Sequence, residues 1–259
     1  TSSRIPHISM RQICDFAIFF PSLKKKKKIA SFLSSVDNVI QLLTKKKNLL
    51  ENYKKGIMQK IFSQEIRFKD ENGNDFPDWE EKKLGENASF FSGGTPTSTN
   101  KSYFDGTIPF IKSGEINANF TEQFLSISGF ESSSAKMVNK GDLLFALYGA
   151  TSGEVAISKI SGAINQAVLC IRSMVFVNHF LLYFFQNNKS IITATFLQGG
   201  QGNLSADIVK NIKVPLPSLP EQQKIADFLS GIDRTIDIVN SQMEKAKEYK
   251  KGLLQKMFV

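Results

Sequence analysis

The chain has 259 residues, 41% of them hydrophobic and 22% charged, with a formal net charge of +9. That length supports one or two domains with a real core, and the basic excess favours a polyanionic partner. No stretch reaches the roughly 18 apolar residues of a membrane span, and no signal peptide is visible, so a membrane or secreted class is not indicated.

The first predicted element is a helix over 21–62, and it is one of two copies of the same segment. Residues 21–62 (PSLKKKKKIASFLSSVDNVI…YKKGIMQKIF) align without a gap with 217–258 (PSLPEQQKIADFLSGIDRTI…YKKGLLQKMF), at an offset of 196 residues. About 18 of the 42 pairs are identical. Two copies so far apart are not a solenoid, whose periods are shorter. They are matching arms around a block of different sequence. In the first arm apolar residues recur at Ile29, Leu33, Val36, Ile40, Leu43, Leu50, Ile57 and Ile61, interrupted by Lys47 and Lys54. Steps alternating between three and four over several heptads predict a coiled-coil seam, and polar seam residues fix register and strand number. The run Lys24–Lys28 opens this helix and reads either as a solvated entry or as a phosphate contact.

Residues 63–78 (SQEIRFKDENGNDFPD) are polar with an Asn-Gly turn, and read as a linker. From Trp79 to 216 the texture changes. TIPFIK, DLLFALY, GEVAIS and AVLCIR read as strands separated by turns, and 175–197 reads as a buried helix. The second arm, 217–259, repeats the seam at Ile225, Leu229, Ile232, Ile236, Val239, Met243, Ala246, Leu253 and Met257, with Lys250 at the position that Lys54 holds in the first arm. Pro217 and Pro220 mark its start. Gly56 and Gly252 sit in the last turns, where a close helix crossing is expected. The predicted fold class is α+β: one globular domain with a twisted β-sheet and helices, flanked by two long helices forming an antiparallel coiled coil. Packing of a plain helical hairpin is the simpler alternative for the arms.

Little in the chain points to catalysis. GGTPTSTNKS at 93–102 lacks the second glycine of a phosphate loop, no adenine-methyltransferase tetrapeptide occurs, and the acidic residues of PDWEEK are too crowded for a nuclease site. His7 and His179 with Cys14 and Cys170 form no metal-ligand spacing, and the two cysteines fit a reduced cytoplasmic protein. The block does offer polar side chains on glycine-rich loops, where the backbone can approach a ligand. The candidate DNA-contacting residues are Ser92, Thr95, Thr97, Ser98, Asn100, Lys101, Lys112, Ser113, Tyr148, Thr151, Ser152, Asn165, Gln166, Gln198, Gln201 and Asn203. Asn and Gln can pair with adenine, Lys with guanine, and Ser or Thr with several base edges or phosphate. Ordinary loop roles are the alternative for each one singly.

VPLPSLPEQQKIADFLSGIDRTI and the lysine-rich helix ending GLLQKMF resemble the conserved region of specificity subunits of type I restriction–modification systems. WEEKKLGENASFFSGGTPTSTNKSYFDGTIPFIKSGEI, GDLLFALYGATSGEVAIS and GGQGNLSADIVKNIKVPLPSLPEQ resemble the opening, middle and close of a target recognition domain. HISMRQICDFAIFFPSL aligns with NLSADIVKNIKVPLPSL, so residues 1–20 resemble the tail of a first recognition domain whose body is missing. The chain opens at Thr1 rather than Met, as a piece of a longer protein would. One departure is that Glu221 and Gln222 are replaced by Lys25 and Lys26 in the first arm, which puts that helix start in doubt.

The resemblance implies a non-catalytic reader of double-stranded DNA that recognises half of a bipartite target, with the helices as spacer. It also implies methylation and restriction subunits as partners, with S-adenosylmethionine, ATP and Mg2+ on those subunits and none on this chain. Self-pairing through the helices would supply a second reader. A scaffold or truncated fragment that binds only partner subunits is the alternative.

Overall fold

The computed structural model describes residues 21–197 and 203–257. The recognition-domain tail expected at 1–20, with His7 and Cys14, and the candidates Gln198 and Gln201 lie outside the described residues. The chain divides into two units, Thr1–Asn48 with Asp237–Val259, and Leu49–Ile236. Helices α1 (Leu23–Phe62) and α6 (Leu219–Met257) contribute to both.

In the smaller unit the two helices run antiparallel. Lys250 Nζ lies 2.5 Å from Asp37 Oδ1, and Thr44 Oγ1 donates to Met243 Sδ at 3.5 Å. Stepping back from Thr44 to Asp37 carries the partner forward from Met243 to Lys250 by the same number of residues, which is the signature of antiparallel register. Ile29, Leu33, Val36, Ile40 and Leu43 are half-buried, as are Met243, Ala246, Leu253 and Met257, and Val239 is buried. Leu42, Val39, Ile238 and Tyr249, which lie off the seam, are exposed. In the larger unit the same register places Lys54 Nζ 2.6 Å from Asp233 Oδ1. Leu50, Ile57 and Ile232 are half-buried there, while Ile61, Ile225, Leu229 and Ile236 are buried.

The close crossing expected at Gly56 and Gly252 does not form, because a Cβ built at either meets no heavy atom within 4 Å. The neighbouring seam positions hold Lys54 and Lys250, whose long side chains reach across to carboxylates and do not draw backbones together. The helix start that the lysine run put in doubt is formed. Ser22 supplies its Oγ to the N–H of Lys25 at 3.4 Å and its carbonyl to that of Lys26 at 2.9 Å. Pro220 falls inside the first turn of α6, where a missing N–H is tolerated.

Among the described residues the larger unit holds three sheets where the sequence suggested one. A ribbon pairs β1 (Glu80–Lys83) with β10 (Lys213–Leu216). The short helix α2 (Leu84–Asn87) leads into an antiparallel sheet ordered β2 (Ala88–Ser92), β9 (Val168–Ser173), β6 (Leu143–Ala146), β7 (Val155–Ile157). A mixed sheet is ordered β4 (Phe124–Leu125), β3 (Ile108–Ile111), β8 (Gly162–Ile164), β5 (Lys136–Val138), with β3 and β8 parallel. Helix α3 (Ile127–Glu131) follows β4.

Alternation decides the layering. On β6 and β9, Leu143, Phe145, Leu169 and Ile171 join one core, packed with Phe180, Phe184 and Phe185 of α4 (Asn178–Leu197) and with Ile61, Ile225 and Leu229 of the arms. Leu144, Ala146, Val168 and Cys170 join a second core with Ile111, Val138 and Ile164 of the mixed sheet. A strand covered on both faces must be apolar throughout, as LLFA and VLCI are. Helix α5 (Ala206–Asn211), capped by Ser205, leads into β10.

Two polar residues at the start of α6 are fully buried. Glu221 accepts from Arg67 Nε at 2.8 Å, Arg67 Nη2 at 3.0 Å and Trp79 Nε1 at 2.9 Å. Gln222 accepts from Val177 N–H at 2.9 Å and donates to the carbonyls of Val175 and Pro217. Residues 63–78 are therefore more than a spacer. They carry Arg67 to Glu221, and they fold back on an Asx turn in which Asp70 Oδ1 accepts from the N–H groups of Asn72 and Asn74, with Gly73 at φ +83°.

Candidate nucleic-acid interface

The site begins where β2 ends. Gly93 passes against the backbone of β8, donating to Asn165 O at 3.2 Å, and a Cβ there would stand 1.7 Å from Ile164 O. No side chain fits at that position. Gly94 is equally confined, with Ser134 Oγ 2.0 Å from the place of a Cβ. The chain is thus pinned to the mixed sheet before it opens into the loop carrying Thr95, Thr97, Ser98 and Asn100, all exposed.

That loop returns through a 3-10 turn at Lys101–Phe104, capped by Asn100, whose Oδ1 accepts from Ser102 N and Oγ. It forms one wall of an open cleft of about 420 Å³, lined by Thr95, Ser98, Lys101, Phe104, Phe110, Lys112, Gln123 and Asn165. Phe110 is buried and gives the cleft an apolar floor, with Phe104 packed edge-on at 6.4 Å between ring centroids. Two lysines and four uncharged polar side chains form the rim, and among the described residues no carboxylate lines it. The nearby Glu115 is committed to backbone, accepting from the N–H groups of Lys112 and Glu122.

Five of the residues singled out in the sequence therefore meet in one place: Thr95, Ser98, Lys101, Lys112 and Asn165. Gln166 joins them through Thr95, whose Oγ1 donates to Gln166 Oε1 at 2.7 Å. Asn165 also has a local task, since its Oδ1 accepts from Ala167 N–H at 3.1 Å. Ser92 is exposed at the end of β2, opposite Leu169.

Tyr148, Thr151 and Ser152 form a separate turn after β6. At Gly149 it approaches the 3-10 turn Ser113–Glu115 that follows β3, where a Cβ would lie 3.9 Å from Ser113 Oγ. Ser152 Oγ is turned inward to Leu147 O at 2.9 Å. Burial pushes the Tyr148 phenol pKa up, which keeps it a neutral donor. The exposed Asn203 is tied to this turn through its neighbour, since Leu204 N–H donates to Leu147 O at 2.8 Å.

Gln123 was missed by sequence reasoning. It precedes a strand of only two residues, and its carbonyl accepts from Phe110 N–H at 2.9 Å, so it reaches the cleft through β3 pairing that the local sequence does not announce. A second cleft of about 480 Å³, beside Trp79 and Phe184, is lined by Glu80 and Glu81 and is electrostatically poorer for a polyanion. Cys170 is no nucleophile in this setting. Burial, reinforced by Asp142, pushes its thiol up to about 12. Among the described residues no group of three or more His, Cys, Asp or Glu side chains could hold a metal ion, and no helix is long and apolar enough to cross a membrane.

A family model described as type I restriction modification DNA specificity domain matches residues 1–52 and 77–248. The chain belongs to this family. Among similar proteins of Methanocaldococcus jannaschii, the putative type I restriction enzyme MjaX specificity subunit is 29% identical over 258 residues, covering 95% of this chain and 59% of that protein. The MjaVIII specificity subunit is 26% identical over 269 residues, covering 96% and 63%. The chain thus spans about three fifths of the length of these relatives. Its fold is shared with a specificity subunit from M. genitalium (TM-score 0.65, 18% identity, 92% of this chain and 62% of that one). It is shared also with the HsdS subunit from Thermoanaerobacter tengcongensis (TM-score 0.59, 18% identity, 100% and 64%).

Proposed function

We propose that this chain reads DNA sequence for a type I restriction–modification complex and has no catalysis of its own. The observation that carries the reading is the cleft in which Lys101, Lys112, Thr95, Ser98, Gln123 and Asn165 converge, with no carboxylate among the described residues that line it. Lysines bond guanine or draw in the phosphate backbone, and amide and hydroxyl groups bond base edges. The domain reads one half of a bipartite target, and the paired helices act as spacer and as dock for methylation and restriction subunits. S-adenosylmethionine, ATP and Mg2+ belong on those subunits, and the assembly works in the cytoplasm.

A second copy of the chain is one source of the other reader. Asp37 and Asp233, like Lys54 and Lys250, are equivalent positions of the two arms, so the ion pairs Lys54–Asp233 and Lys250–Asp37 are exchanged by the repeat. Contacts with that symmetry can form equally well between two chains that swap arms.

The test is methylation mapping of a genome exposed to this chain with a matching methylation subunit. A split palindrome indicates self-pairing, and an asymmetric split motif indicates a different second reader. No new methylation would favour a scaffold that only binds partners.

A further inference from the structure

The lysine run at the start of α1 has no part in the reading above. Lys24–Lys28 are all exposed, and the first turn of α1 contains no acidic residue. No Asp or Glu occurs between Asp15 and Asp37, or after Glu248. Asp37 is already engaged by Lys250. The antiparallel register that this pair fixes brings Lys256 level with Ser31, within a turn of Lys28. The exposed Lys251 and Lys256 of α6 therefore gather at the same end of the smaller unit as the run. Two segments far apart in sequence thus build one strongly basic surface.

The repeat shows what this surface replaces. In the second arm the equivalent of Lys25 and Lys26 is Glu221 and Gln222, both fully buried and bonded to Arg67, Trp79, Val175 and Val177. Two ammonium groups cannot accept from an arginine and an indole, so the first arm cannot fasten a domain in that way. The apolar anchors beside them are retained as Ile29 and Leu33, the mates of Ile225 and Leu229, yet they are only half-buried.

From the lost fastening and the gathered charge we infer that this end of the helical pair is a sequence-independent site for the DNA phosphate backbone, additional to the reading cleft. Lysine suits the task as a mobile point charge on phosphate. The inference takes only the identity of the polyanion from the function proposed above, and none of the base readout.

The experiment measures binding of a random-sequence duplex to the full chain by fluorescence anisotropy across a range of salt concentrations. Each neutralised phosphate contributes about 0.9 to the slope of log K against log salt. Five lysines encircle the helix, so about half can face one backbone. Replacing Lys24 to Lys28 by Gln should lower the slope by about 2–3, with helicity by circular dichroism unchanged because Gln and Lys have similar helix propensity. Replacing the same five by Arg should keep the slope. The pair Lys25→Glu with Lys26→Gln should lower it as well. An unchanged slope in the Gln variant overturns the inference, whatever acidic protein the run then proves to bind. An Arg variant that behaves like the Gln variant overturns it too. Target discrimination by the cleft is a separate readout, so its failure would not be mistaken for failure here.

Discussion

Glu221 offers the sharpest test of how the globular domain is held to its arm. Its carboxylate has no exposed surface and accepts three hydrogen bonds, two from Arg67 and one from Trp79. The Arg67 guanidinium is held above its ordinary pKa chiefly by those bonds. Removing one partner of a buried pair costs about 3–5 kcal/mol, because the other charge is left uncompensated. Arg67 is 22% exposed and keeps its bonds to the carbonyls of Phe76 and Pro77, which places Glu221→Ala near the lower end, at about 3 kcal/mol. Glu221→Gln retains one acceptor and should cost about 2 kcal/mol.

Trp79 is the only tryptophan in the chain and touches the carboxylate, so its fluorescence follows this point during urea unfolding. With a urea slope of about 3 kcal/mol per molar, Glu221→Ala should move the midpoint down by about 1 M. Replacing both partners, as Arg67→Met with Glu221→Met, should return to within about 1 kcal/mol of the parent, since a well-packed apolar pair often matches a buried ion pair. A loss below about 1 kcal/mol in Glu221→Ala, or a double variant as weak as the sum of its singles, would refute the reasoning.

Three further outcomes follow from the same geometry. Lys112→Ala should cost about 1–3 kcal/mol of binding to one target sequence with little change on random DNA, and a parallel loss on both in a competition assay would make Lys112 a phosphate contact. Gly93→Ala forces the chain off Ile164 O and should destabilise the larger unit by more than about 2 kcal/mol in urea, with loss of target discrimination, whereas a stable and specific variant would contradict the pinned loop. Burial of Asp142 works against its charge, but bonds from Arg172 and Asn139 N–H outweigh it and hold its pKa below the ordinary value. Its contribution is therefore complete above the unfolded value of about 3.9 and is lost as pH falls through the folded value, so Asp142→Asn should flatten the acid limb of stability below about pH 4.

The sequence made the arms legible because a seam repeated over many turns outweighs any single residue, and because the second copy checks the first. β3, β6, β7 and β9 were legible for a related reason: strands covered on one or both faces carry apolar runs. β1 carries no such signal. EEKK is polar throughout, and it is a strand only because β10 pairs with it 130 residues on. Glu221 was illegible in the same sense. A glutamate in a helix's first turn reads as a solvated partner of the helix dipole, and nothing near it announces Arg67 or Trp79. At the site the loops were legible as loops, but sequence could not separate side chains that line the cleft, such as Lys112, from those with a local acceptor role, such as Asn100. Both kinds favour the same glycine-rich turns.

The two arms differ where their tasks differ and agree where they share one. Lys54 and Asp233 in one unit and Lys250 and Asp37 in the other are the same two positions of the repeat, each pair joining one arm to the other. A lysine within an apolar seam costs stability wherever it lacks an acid opposite. Slipping the helices by one turn would separate both pairs at once, so these contacts select one register out of the several that an all-apolar seam would accept. The proposed spacer role rests on that property, because a slip of one turn would displace whatever the ends carry by about 5.4 Å. The positions that fasten a domain are instead free to diverge, as Glu221 and Gln222 have from Lys25 and Lys26, because they bear on what each end holds and not on how far apart the ends stand.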